Sequence, residues 1–81
     1  MFYEPFTKLK EVEPFFGHSI YKDGIEMTVI GANCDKKSEA LYIQAVYEDG
    51  TEVSLTAMNW FYSAKYKGHQ FGKEIKGGEK I

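Results

Sequence analysis

Arginine does not occur in this chain of 81 residues, whose ten basic residues are all lysine. The guanidinium group forms the bidentate fork that most often reads guanine, and it anchors many phosphate clamps and protein interfaces. Its absence therefore argues against sequence-specific recognition of GC-rich DNA. An AT-rich genome would produce the same lysine usage without any mechanistic meaning.

Cysteine and histidine are also scarce, since the chain has only Cys34, His18 and His69. A single thiol cannot form a disulfide within the chain, and the three residues lack the local spacing of zinc ligands. Both histidines adjoin glycine, at positions typical of exposed turns. We therefore expect no metal, no cofactor and no catalytic centre, so the chain is not predicted to be an enzyme.

No apolar run approaches the ~20 residues of a membrane-spanning helix. The first residues, Met1 to Pro5, lack the basic start and apolar stretch of a signal peptide. These absences predict a cytoplasmic protein without membrane contact. With 43% hydrophobic and 16% aromatic residues, the composition is that of one small folded domain.

The charge is unevenly distributed along the chain. Residues 1–60 hold five lysines against ten acidic residues, a net of −5, and residues 61–81 hold five lysines against two, a net of +3. We divide the chain into an N-terminal arm, residues 1–14, a small β-domain, residues 15–72, and a flexible basic tail, residues 73–81. Gly77 and Gly78 mark the start of the frayed end.

Alternating apolar residues predict a β-hairpin over Leu41 to Ala57, closed by Asp49-Gly50. A second Asp-Gly pair, Asp23-Gly24, predicts another hairpin upstream, and the two hairpins together form an antiparallel meander.

The segments on either side of the meander are less regular. Phe6, Leu9 and Val12 recur every three residues, which suits short helical turns or an irregular arm that packs on the sheet. The aromatic run after Ala57 suggests a helical turn and then a last strand near Gly68 to Phe71. The fold class predicted is mainly β: a small SH3-like barrel, or a strongly curled antiparallel sheet, of four to five short strands.

The chain resembles a short repeat module of uncharacterised proteins from Gram-positive bacteria and their phages. The resemblance covers about residues 15 to 72. It rests on Gly17 and Gly24, the strand Met27-Thr28-Val29-Ile30 with Ala32, the run from Ile43 through Glu48-Asp49-Gly50 to Val53, Phe61, and the pair Lys67-Gly68. Copies of the module sometimes lie beside DNA-associated domains of the AP2 or HNH type. The resemblance implies a phage or mobile-element setting and no particular activity.

Two surfaces are candidate binding sites. The first is an outward stripe of low charge on the central strand, a composition typical of interface cores, unless the N-terminal arm covers it through Phe2, Tyr3 and Phe6. Its candidate residues are Tyr42, Gln44 and Val46, with Trp60 at the aromatic rim. We predict that this stripe mediates protein interaction or self-association.

The second surface is the aromatic and basic segment that begins at Trp60. Aromatic faces that alternate with lysines can stack on bases and contact phosphates non-specifically. The candidate residues are Trp60, Tyr62, Lys65, Tyr66, Lys67 and Lys73. The alternative for this segment is structural: Trp60 and Phe61 close the barrel, and the lysines keep the tail soluble.

Overall fold

The computed structural model describes residues 2–75, which form eight strands, two α-helices and one 3₁₀ helix. The strands are β1 (Phe2–Glu4), β2 (Ser19–Lys22), β3 (Ile25–Cys34), β4 (Leu41–Tyr47), β5 (Glu52–Thr56), β6 (Ala64–Tyr66), β7 (His69–Gln70) and β8 (Lys73–Ile75). The helices are α1 (Leu9–Val12), the 3₁₀ helix (Glu13–Phe15) and α2 (Ala57–Ser63).

Strands β2 to β7 form one antiparallel sheet in the order β5-β4-β3-β2-β6-β7, and β1 pairs with β8 in a second sheet of two strands. The mainly β class and the antiparallel meander are therefore confirmed. The number of strands is larger than the four to five predicted. Strands β5 and β7 are the two edges of the large sheet, so it does not close into a barrel, and the SH3-like barrel is not confirmed. An open sheet by itself would leave the apolar residues of its core face exposed. The arm and α2 cover that face with side chains of their own.

The turns follow from local backbone chemistry. Asp23 and Gly24 both have positive φ, 54° and 81°, and form the two-residue loop that matches the twist of β2 and β3. In the β4–β5 hairpin only Gly50 has positive φ, 93°, and its N–H donates to the Tyr47 carbonyl. This three-residue loop ends in an αL glycine, and the Asp49 carboxylate accepts a hydrogen bond from the N–H of Thr51 at 2.9 Å. Both predicted hairpins are confirmed.

The segment after β5 is a helix followed by a third hairpin. Thr56 caps α2 by accepting the Asn59 N–H at 3.3 Å on its hydroxyl. Lys67 and Gly68, with φ of 52° and 88°, then form a two-residue turn between β6 and β7. The helical turn after Ala57 is confirmed, and the strand predicted near Gly68 is the short β7, which is not the last strand because β8 follows it.

The core lies on one face of the large sheet. Alternate residues of β2, β3 and β4 point into it, and the arm and α2 pack over them. Its fully buried members are Val12, Ile20, Met27, Val29, Ile43, Ala45, Trp60, Ala64 and Phe71. Phe6 of the arm also belongs to this cluster, and its ring packs against Phe15 and Phe71 at centroid distances of 5.4 and 5.1 Å. We call the face of the large sheet that packs on this core the inner face, and the opposite face of the same sheet the outer face.

A β-bulge in β3 keeps these two faces in phase. Val29 lies opposite Ala45 and Ala32 lies opposite Ile43, so three residues of β3 span the distance of two residues of β4. Ile30 is the extra residue. Without it, the end of β3 would turn its polar side chains toward the core.

The N-terminal arm and the start of the tail meet in the second sheet. Phe2 lies opposite Ile75 and Glu4 opposite Lys73. Lys73–Ile75 are thus a strand, and not part of a flexible tail as the sequence suggested. The remainder of the predicted tail, residues 76–81, lies outside the described residues. The division into arm, β-domain and tail stays a prediction.

Candidate interaction surface

The predicted stripe lies on the outer face at the centre of the β3–β4–β5 meander. Leu41, Ile43 and Ala45 of β4 are buried, whereas Tyr42, Gln44 and Val46 are half-buried. The alternation is that of a strand with one face in the core and the other at the surface. The structure therefore brings these three candidates together on one surface.

Residues opposite each other on neighbouring strands share a face, so the register defines the surroundings of the stripe. Six neighbours flank it: Thr28, Gly31 and Asn33 on β3, and Glu52, Ser54 and Thr56 on β5. We call these nine residues the outer patch. Glu52 is its only charged member, and such low charge is typical of the centre of a protein interface.

Gln44 ties the three strands together at the middle of the outer patch. Its amide nitrogen donates to Asn33 Oδ1 at 2.9 Å and to Ser54 Oγ at 3.0 Å. Opposite it, Gly31 has no side chain, and a Cβ there would lie 3.6 Å from Gln44 Oε1. Since residues 2–75 offer no hydrogen bond to that oxygen, it is available to a binding partner.

Residues 2–14 of the arm do not cover the outer patch. Phe6 and Val12 lie in the core on the inner face, and Tyr3 stacks on His69 with ring centroids 4.1 Å apart. The alternative in which the arm covers the stripe through Phe2, Tyr3 and Phe6 therefore fails for Tyr3 and Phe6. Phe2 itself is 69% exposed and pairs with Ile75 in the second sheet.

Trp60 is not a surface residue, which corrects both of its predicted binding roles. Its side chain is fully buried, and its indole N–H donates to the Ile43 carbonyl at 2.7 Å. A buried indole needs such a partner, and the backbone of β4 supplies it. Trp60 therefore has no exposed ring face for a protein or a base, in keeping with the structural alternative for this residue.

The other aromatic candidates of the basic segment are separated from each other. Tyr62 on α2 is 71% exposed. Tyr66 is half-buried in a ring cluster, edge-on to Phe15 at 5.0 Å and beside Phe71 at 6.5 Å. His69 packs on the same cluster from β7, so it is a strand residue and not an exposed turn residue as predicted. Tyr66 thus lacks a free face for base stacking.

Two of the three candidate lysines are exposed. Lys65 lies opposite Tyr21 on the outer face, and the Lys67 ammonium sits 5.5 Å from the centroid of the Tyr66 ring. The third, Lys73, is held between carboxylates: its Nζ lies 3.0 Å from Glu11 and 3.3 Å from Glu4. Its charge is thereby neutralised within the fold, which corrects its assignment to a phosphate-binding surface.

The partner of Lys73 is a strongly perturbed carboxylate. Burial on its own would raise the pKa of Glu11, but the N–H of Thr7, the ammonium of Lys73 and the N–H of Lys8 all donate to it and lower the pKa to about 2. The same contact raises the pKa of Lys73, against the opposing effect of burial. Glu11 thus caps the start of α1 and, through its ion pair with Lys73, links α1 to β8. The ion pair between Glu11 and Lys73 is therefore structural.

Open grooves interrupt the described surface. One of about 550 Å³ lies at the acidic end of β3 and β4, between Glu26 and Glu48. A second of about 570 Å³ separates the arm from Met58, and a third of about 430 Å³ lies beside His69. Within residues 2–75, no cluster of three or more histidine, cysteine or carboxylate side chains is arranged to bind a metal ion. None of the helices described is long and apolar enough to cross a membrane.

The sequence patterns missed the neighbours of the stripe. Strand β3 continues to Cys34, beyond the stretch from Met27 to Ala32 that the sequence indicated, and places Asn33 beside Gln44. The available signal was Gly31, since glycine inside an apolar strand often marks a bulge. Ser54 and Thr56 could have been found from the hairpin register alone.

Comparisons with known proteins give no relative on which a family assignment could rest. Neither the protein-family models, nor the curated proteins, nor the solved structures include a match to this chain.

Proposed function

We propose that the chain is a non-catalytic protein-interaction module whose contact surface is the outer patch. The observation that carries this proposal is an uncovered sheet face with a tyrosine at one end, a glutamine at the centre and one charge among nine residues. Such a face costs little to desolvate, and tyrosine adds contact area with little loss of side-chain entropy.

Hydrogen bonding at the centre of the patch supports specificity. The Gln44 amide is held in place by Asn33 and Ser54, so its free oxygen is oriented before any partner arrives. A partner that donates to this oxygen gains a hydrogen bond without first ordering the side chain. A partner without a donor would leave the oxygen unsatisfied once water is excluded.

The alternative function, non-specific binding to a nucleic-acid backbone, has less support. Of its six candidate residues, Trp60 is buried, Tyr66 is packed and Lys73 is ion-paired. Tyr62, Lys65 and Lys67 remain, which is a small footprint for a contact that depends on several phosphates. The resemblance to modules found near DNA-associated domains is the main argument for it.

Site-specific photo-crosslinking tests the proposal. A photo-reactive phenylalanine analogue at Val46 places the probe in the outer patch without removing a hydrogen bond, and the same analogue at Tyr62 is the matched control on an exposed aromatic position. In an extract of the source cells, we expect discrete protein adducts from position 46, absent from position 62 and lost when Tyr42→Lys is added. Equal adducts from positions 46 and 62, or adducts that survive Tyr42→Lys, would contradict the proposal.

The nucleic-acid alternative is tested in parallel. Labelled single- and double-stranded oligonucleotides are titrated at ~50 and ~200 mM salt, where phosphate contacts lose affinity steeply. We expect no binding at the lower salt. Salt-dependent binding that is lost in a Lys65→Gln, Lys67→Gln double variant would favour the alternative.

A further inference from the structure

Within residues 2–75, the edge of β5 that borders the outer patch is unpaired, and it has little of the usual protection against strand pairing. Natural edge strands are shortened, or carry charged residues such as lysine, proline or a bulge. The opposite edge follows this rule, because β7 has only two residues. Strand β5 has five residues, and after Glu52 it reads Val-Ser-Leu-Thr, without charge, proline or bulge.

The register shows which backbone groups face this open edge. The Tyr47 N–H donates to the Thr51 carbonyl at 2.8 Å, so this pair is a hydrogen-bonded one. Because hydrogen-bonded and non-hydrogen-bonded pairs alternate in an antiparallel ladder, Val53 and Leu55 bond to β4, whereas Glu52, Ser54 and Thr56 point away from it. The Thr56 carbonyl lies at the start of α2, where it accepts the first helical hydrogen bond. The N–H and C=O groups of Glu52 and Ser54, and the N–H of Thr56, are left for a partner strand.

We propose that β5 pairs antiparallel with β5 of a second copy of this chain, centred on Ser54. The inference goes beyond the proposed function, because it concerns the backbone edge of β5 and not the face formed by Tyr42, Gln44 and Val46. In this register Ser54 faces Ser54 of the second copy, and Glu52 faces the uncharged Thr56 of the second copy. A register centred on Glu52 would instead place two carboxylates opposite each other, which is unfavourable.

The same register also places the apolar side chains of β5 beside those of β5 in the second copy. Val53 and Leu55 point to the inner side and are half-buried at the margin of the core. Centred on Ser54, Val53 lies beside Leu55 of the second copy, so each covers apolar surface that the single chain leaves exposed. The backbone groups that face the edge form four hydrogen bonds across the junction, and the two sheets join into one of twelve strands. The small contact predicts a reversible dimer.

Sedimentation equilibrium of the chain tests the pairing, over ~10 µM to ~1 mM, the range of a weak dimer. We expect the average mass to rise toward twice that of the single chain. Ser54→Pro removes the Ser54 N–H, which faces the open edge and makes no hydrogen bond to β4. We expect this variant to show no rise of the average mass with concentration. Ser54→Ala is the matched control: it loses the hydroxyl that contacts Gln44, keeps the N–H, and is expected to dimerise like the wild type.

Amide hydrogen exchange locates the contact. The amides of Ser54 and Thr56 are expected to exchange more slowly at ~1 mM than at ~10 µM, at least twofold, whereas those of β7 do not change. If Ser54→Pro fails to fold, Ser54→Lys serves instead, because it keeps the backbone and sets two lysines face to face. A mass that stays monomeric at the highest concentration, or edge amides that exchange equally at both concentrations, would overturn the pairing.

The two variants Tyr42→Lys and Ser54→Pro distinguish failure of the strand pairing from failure of the proposed function. A dimer that dissociates with Tyr42→Lys and persists with Ser54→Pro would keep the outer patch and refute the edge. A dimer with the reverse response would support the edge, and the crosslinking adducts from position 46 would then decide the role of the outer patch. A monomeric wild type that still gives adducts from position 46 would refute self-pairing and leave a foreign partner for the outer patch.

Discussion

Replacing Glu11 by glutamine tests a carboxylate whose pKa the fold lowers to about 2. Glutamine keeps the shape of the side chain and an oxygen that can accept from Thr7 and Lys8, but it removes the charge that faces Lys73. We expect a less stable protein at neutral pH, because the ammonium then loses one of its two carboxylate partners.

The magnitude follows from the pKa. A fall from 4.5 to about 2 corresponds to ~3 kcal/mol if the full difference is carried into folding. The side chains of Lys73 and Glu11 remain 28% and 24% exposed, so solvent screening lowers the expected loss. We expect Glu11→Gln to reduce the free energy of unfolding by ~1–2 kcal/mol at pH 7, or the midpoint of thermal unfolding by ~5–15 °C.

The pH dependence distinguishes this mechanism from a packing defect. Because the pKa of Glu11 is lower in the folded than in the unfolded chain, the unfolded chain takes up the proton first as the pH falls. The stabilisation is therefore complete above about pH 4.5 and is lost as the pH approaches about 2. The difference between the wild type and Glu11→Gln should vanish over the same range, because the protonated Glu11 side chain is then neutral, like that of glutamine.

Urea unfolding gives the measurement, followed by the fluorescence of Trp60, which is the single tryptophan of the sequence and is fully buried. Glu13→Gln is the control, since Glu13 is exposed and its side chain makes no hydrogen bond or ion pair within residues 2–75. The reasoning is refuted if Glu11→Gln unfolds at the same urea concentration as Glu13→Gln at pH 7. It is refuted as well if the difference at pH 7 persists unchanged near pH 2.

Two further predictions concern tight packing. Gly72→Ala should lower the free energy of unfolding in urea by ~2–3 kcal/mol, because a Cβ there would collide with the Glu4 carbonyl and lie 2.7 Å from Phe61. Stability equal to that of the wild type would show that β1 can shift freely. Trp60→Phe should lower the free energy of unfolding, followed by circular dichroism, by ~1–3 kcal/mol, because it leaves the Ile43 carbonyl without the indole donor and opens a cavity. An unchanged midpoint of unfolding would contradict the role of that hydrogen bond.

The candidate surface could be predicted only in part. Strict alternation along β4 was enough to identify Tyr42, Gln44 and Val46 as one face, because a strand places successive side chains on opposite sides. Whether that face is covered depends on the arm, whose path is set by contacts with residues far along the chain. For Trp60 and Lys73 the residue type suggested a surface role, and burial and ion pairing removed it.

Local chemistry by itself determined the three tight turns and the strands that they join. Gly24, Gly50 and Gly68 adopt positive φ at little cost, and each turn sets the register of its own hairpin. The tertiary structure decided the rest: β6 pairs with β2 across more than forty residues, and β1 pairs with β8 across the whole described chain. Such pairings depend on the summed burial and hydrogen bonding of distant segments against the entropy of closing long loops, which no local pattern encodes. They left the sheet open, with β5 as a free edge beside the outer patch.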